Sequence, residues 1–140
     1  MNYKTTEDEL QQIGNEGVDW RIEFVYGDTS FKENMCDCHT HGINKHLESG
    51  LELQIVLSIE PQLAKYILNC VGKLITTGKN FKSKDKLYGI FKNEKMPIGF
   101  IKSKDSEGKD ILRIWIPDKE GRLFDKSTDE YRQQDQDPYI

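Results

Sequence analysis

The chain of 140 residues carries 24 Asp and Glu against 20 Lys and Arg, for a formal net charge of -4 and a sequence pI near 5.4. That balance gives no overall attraction to phosphate backbones, which argues against nucleic-acid partners. The length predicts one domain with a core of its own. Its longest apolar-rich stretches, residues 51–59 and 63–75, are interrupted by polar side chains and fall short of the roughly 20 apolar residues of a membrane span.

Residues 1–10 carry Glu7, Asp8 and Glu9, where a secretory signal has a basic start and an apolar centre. Three cysteines form an odd set, which fits reduced thiols in the cytoplasm better than a disulfide framework.

Thr6 followed by Glu9 has the spacing of a capping box and predicts a short helix over residues 6–15, broken by Gly14 and Gly17. Residues 18–26 then read as a strand, with Trp20, Ile22 and Phe24 on one face. Gly27 to Ser30 make a turn. Residues 51–58 alternate Leu51, Leu53, Ile55 and Leu57 and predict a central strand.

Pro61 suits the first turn of a helix, with Ser58 or Glu60 as its cap. Leu63, Ile67, Cys70, Val71 and Leu74 recur at helical spacing until Gly78 supplies a left-handed stop. Strands are expected at 86–91, at 98–103 and from Ile111 to Ile116, the last two joined by a hairpin loop around Gly108. The lysine-rich run 79–95, interleaved with Asp85 and Glu94, reads as a solvated face.

The chain is therefore expected to fold as one α+β domain over residues 1–125. A mainly antiparallel sheet of five or six strands would carry one long and one short helix, and residues 126–140 would form a polar, flexible tail.

Chemistry concentrates in residues 36–46. From Cys36 to His46 the chain gathers two cysteines, an aspartate and all three histidines of the protein. In an extended segment alternate residues share a face, so Asp37, His39 and His41 point one way and Cys36, Cys38 and Thr40 the other. Two imidazoles and a carboxylate are the ligand types of a divalent metal such as zinc with an open coordination position. Cys38 and His46 are further candidates.

The tripeptide His39-Thr40-His41 is similar to the metal motif that opens barrel-type amidohydrolases. Those enzymes need further histidines from later strands, and no histidine follows His46. A structural reading competes with the metal one: Cys36 and Cys38 as small buried hydrophobes, a histidine bonded to backbone beside a turn, Gly42 as the bend. Asn69, a costly choice inside a helix, predicts a hydrogen bond across to the loop holding Thr40 to Gly42.

His41-Gly42-Ile43, then Gly50-Leu51-Glu52-Leu53-Gln54, then Pro61, Ala64, Ile67-Leu68-Asn69, Gly78 and Phe81 together resemble the bacterial family called domain of unknown function 4262, over about residues 20–81. Where that family often has His-Pro-Glu-Leu, this chain has Gly50-Leu51-Glu52-Leu53. The resemblance implies a compact α+β domain with no assigned activity, and transfers no catalytic residue.

Two functions stay open. One is a non-enzymatic interaction or regulatory domain, a homodimer or one binding a protein partner through its acidic, tyrosine-bearing tail. The other is a metal- or small-ligand-binding protein, conceivably a hydrolase, built on the Cys36 to His46 cluster.

Overall fold

A computed structural model describes residues 1–14, 18–26 and 30–140. Thr6 opens the first helix, α1 (Glu7–Ile13), by accepting the backbone N–H of Glu9 at 3.1 Å. The reciprocal half of the box is not made, because Glu9 accepts instead from the Thr5 hydroxyl at 3.1 Å. Asn15, Gly17 and the turn residues Gly27 to Thr29 lie outside the described residues.

Among the described residues seven strands form one sheet: β1 (Asn2–Lys4), β2 (Arg21–Val25), β3 (Met35–His41), β4 (Leu53–Leu57), β5 (Lys86–Tyr88), β6 (Ile98–Lys104) and β7 (Asp110–Trp115). Their order is β1-β5-β6-β7-β4-β3-β2. The pairs β1/β5 and β4/β7 are parallel and the other neighbours antiparallel.

This overturns the expected five or six mainly antiparallel strands with one long and one short helix. The sheet is mixed, and the described residues hold three α-helices: α1, the long α2 (Pro61–Thr76) and a single turn, α3 (Asp129–Arg132). Both parallel pairs join strands far apart in the chain, and such pairing leaves no mark in local periodicity. β1 is too short to show a period at all.

α2 begins with Pro61 at its first position, and Glu60 caps it without a side-chain bond. It buries Ala64, Ile67, Leu68, Val71, Leu74 and Ile75 against Cys36, Cys38, Leu53, Ile55, Leu57, Leu112 and Ile114 from one face of the sheet. Each large side chain so buried contributes at most about 1.5–3 kcal/mol. Gly78 ends the helix region at φ +100°, its N–H donating to Ile75 at 2.9 Å.

Asn69 makes a different bond from the one expected: its Oδ1 accepts from the Trp20 indole at 3.1 Å. Gly72 makes room for that indole, since a Cβ there would meet Trp20 Cζ2 at 2.5 Å. Trp20 in turn abuts Gly42, so the helix reaches the 40–42 region through Trp20.

The second face of the sheet carries a smaller apolar cluster of Trp115, Leu123 and Phe124, and the C-terminal segment lies along it. Residues 126–140, read from the sequence as a polar tail, are tied down here by polar contacts. Gln134 is fully buried; its side chain accepts from the Ile116 N–H at 2.8 Å and donates to the Ile116 carbonyl at 2.9 Å. Tyr139 pairs with Phe31. Hydrogen bonds hold the segment together with the apolar contacts of Tyr131 on the main core and of Tyr139 on Phe31. No helix among the described residues is long and apolar enough to cross a membrane.

Candidate metal site on the second sheet face

The 36–41 run is a strand, and the alternation along it holds. Cys36 and Cys38 face α2 and are fully buried, while Asp37, His39 and His41 lie on the other face. The pleat places neighbours on opposite sides. The antiparallel register then sets His39 opposite Glu23 of β2 and opposite Gln54 of β4, and the parallel pairing of β4 with β7 sets Gln54 opposite Arg113. A polar row, Glu23-His39-Gln54-Arg113, thus crosses four strands.

At the outer end of the row three ligand-type atoms converge. Glu23 Oε2 lies 2.8 Å from His41 Nε2 and 3.1 Å from His39 Nε2, and the two Nε2 atoms are 3.0 Å apart. Ligand atoms about 2.0–2.1 Å from a tetrahedral zinc stand roughly 3.3 Å apart, and neighbouring corners of an octahedron at about 2.1 Å stand roughly 3.0 Å apart. The observed triangle falls at the short side of that range, so small movements bring the three atoms around one ion.

Asp37 stands behind His39, away from the three converging atoms. Its Oδ1 accepts from His39 Nδ1 at 2.9 Å and from Gln54 Nε2 at 3.0 Å, and its Oδ2 accepts from the Tyr139 hydroxyl at 2.8 Å. The carboxylate therefore backs His39 rather than joining the converging atoms. With the proton on Nδ1, His39 Nε2 keeps its lone pair for a ligand, the arrangement that accompanies most metal-bound histidines.

Burial pushes the Asp37 carboxyl up, but the bonds from His39, Gln54 and Tyr139 outweigh it and hold its pKa below the usual carboxylate value. The same contact with Asp37 raises the His39 imidazole above its ordinary value against the opposing effect of burial. A hydrogen bond from His41 and the charge of His39 hold Glu23 below the usual range.

Farther in, Gln54 Oε1 accepts from Arg113 Nε at 3.0 Å and from its second terminal nitrogen at 2.8 Å. Arg113 is fully buried, and its other donors reach the carbonyls of Gln134 and Gln136 at 3.0 Å.

His46 stands apart, bonded to Asp19 at 2.8 Å. Cys38 is on the wrong face, 4.0 Å from Cys36 Sγ. The neighbouring Cys38 and burial push the Cys36 thiol up, the opposite of what a reactive thiolate needs. The partner of Thr40 and Gly42 is Glu52. That carboxylate accepts from the Thr40 hydroxyl at 2.9 Å and from the N–H groups of Gly42 and Ile43 at 2.9 and 3.1 Å. Gly42 sits at φ +110° with the Asp19 carbonyl 3.1 Å from where a Cβ would stand, which favours glycine.

No family model, curated protein or solved structure matches the chain.

Glu23 is the residue that motif reading passes over. Placing Ile22 and Phe24 on one face of β2 puts Glu23 on the other, but only the register against β3 sets it beside His39. The site opens onto a cleft of about 410 Å³ lined by Asp37, His39, His41, Gln54 and, from the β6–β7 loop, Asp105 and Lys109.

Proposed function

We propose that the protein binds one divalent transition-metal ion, such as zinc, through Glu23, His39 and His41. The observation that carries this reading is the convergence of Glu23 Oε2 and two Nε2 atoms within 3.1 Å, with His39 backed by Asp37 on its far nitrogen. Three protein ligands leave a coordination position for water or a small ligand, as in catalytic rather than closed structural sites. The cleft gives that position access to solvent.

The alternative, an interaction domain working through its acidic tail, has less support, because Tyr139 is turned inward onto Asp37 and Phe31.

Elemental analysis and calorimetry with zinc on untagged protein test the metal reading. The expected result is about one equivalent bound, falling at least tenfold in affinity in His39→Ala and His41→Ala and by less in Glu23→Gln. Uptake below about a tenth of an equivalent, or binding indifferent to both histidines, would falsify it.

A further inference from the structure

We propose that Tyr139 is a positioning residue of the metal site, acting through Asp37 on His39, so that docking of the C-terminal segment and occupation of the site are coupled. The inference rests on the metal reading and adds a regulatory element to it.

The chain of contacts is short and well enclosed. Asp37 sits behind His39 with a side chain only 9% exposed. Among the described residues three donors fix its two oxygens: His39 Nδ1 and Gln54 Nε2 share Oδ1, and the Tyr139 hydroxyl serves Oδ2. Gln54 is itself held by Arg113, whose Nη1 donates to the Gln134 and Gln136 carbonyls while Nη2 also reaches the Lys104 carbonyl. The C-terminal segment therefore grips Asp37 twice, once directly through Tyr139 and once through Arg113 and Gln54.

Tyr139 is placed for this by contacts that do not involve the site. Its ring lies 4.7 Å from that of Phe31, the Lys32 N–H donates to the Pro138 carbonyl at 2.8 Å, and the Ile140 N–H donates to the Ser30 carbonyl at 2.8 Å. Removing the hydroxyl alone leaves all of these in place.

A carboxylate free on one oxygen swings, and the imidazole it orients swings with it. A looser His39 binds metal less tightly. By linkage, whatever docking of the segment adds to metal affinity, bound metal returns to the docking of the segment.

A double-mutant cycle with zinc titration tests the coupling. Tyr139→Phe is expected to weaken zinc binding about tenfold, at the low end of the range for loss of an outer partner. The same substitution made in an Asp37→Ala or Asp37→Asn background is expected to change affinity by less than about twofold. Zinc is expected to slow amide exchange in residues 133–140 of the wild-type chain.

An equal effect of Tyr139→Phe in both backgrounds, or none in either, overturns the inference while leaving the metal reading intact. A wild-type chain that takes up no zinc removes the metal reading instead. In that case the imidazole nitrogen resonances of His39 decide the positional part: Tyr139→Phe must shift them when Asp37 is present and leave them unmoved when it is not.

Discussion

On the α2 side of β3, Cys36 and Cys38 are fully buried among aliphatic side chains and bond chiefly to each other and to strand carbonyls. On the opposite side, one residue along, Asp37, His39 and His41 enter a connected network that runs from Glu23 to the C-terminal segment. The two faces have similar densities of reactive groups and different surroundings. Under α2 the thiols meet strand carbonyls, each other and the Tyr26 side chain, and they act as small buried fillers. On the second face Asp37, His39, Gln54 and Arg113 each have partners of matching kind, so orientation is specified there as well as burial.

Substitutions that load one face and spare the other sharpen that contrast. The largest stability loss is expected from Arg113→Ala, which strands Gln54 and two carbonyls of the C-terminal segment. About 3–5 kcal/mol in urea unfolding is expected, together with weaker zinc binding. Leu68→Ala on the helix side is expected to cost about 3 kcal/mol through the cavity it leaves, yet to leave zinc affinity unchanged in the folded protein. If the two substitutions affect metal binding alike, the faces are not independent and the contrast fails.

Glu52→Gln comes next, at about 1–2 kcal/mol, because the carboxylate accepts three bonds around Thr40, Gly42 and Ile43. Its readout is the melting temperature and faster exchange of the Gly42 and Ile43 amides. The smallest effect is expected for Cys38→Ala, about 1 kcal/mol with zinc affinity within a factor of two. A larger loss of zinc would return the thiol to the ligand set.

pH separates the metal-free and metal-bound states. The Asp37 pKa is lowered from 3.8, so its contribution is full above that value and is lost as pH falls through the lower folded value. The His39 pKa is raised from 6.5, so its contribution is full below that value and is lost as pH rises through the higher folded one. The stability that this pair adds to the metal-free protein is therefore greatest between the two reference values. Zinc must displace protons from the imidazoles, so its affinity is expected to rise with pH across the range where metal-free stability from the pair declines. Melting curves with and without zinc check both trends, and a zinc affinity flat from pH 5 to 8 would contradict the assignment of histidine ligands.

Local pattern was enough for the elements whose cause is local. Thr6 caps α1, Pro61 opens α2, Gly78 stops it, and the two-residue period of the 36–41 run separates its thiols from its imidazoles, because each of these follows from backbone geometry within a few residues. What the sequence did not determine was partnership across the sheet. Whether β4 lies beside β7, and whether Glu23 or Asp37 completes the histidine pair, depends on strand order and register among segments far apart in the chain.

Residues 126–140 illustrate the same division. Their composition reads as too polar for a core, and Gln134 and Tyr139 find buried partners in Ile116 and Asp37 that only the folded sheet brings within reach. A polar side chain records in sequence that it needs a partner; the tertiary structure decides which one, because hydrogen bonding is directional where apolar burial is not.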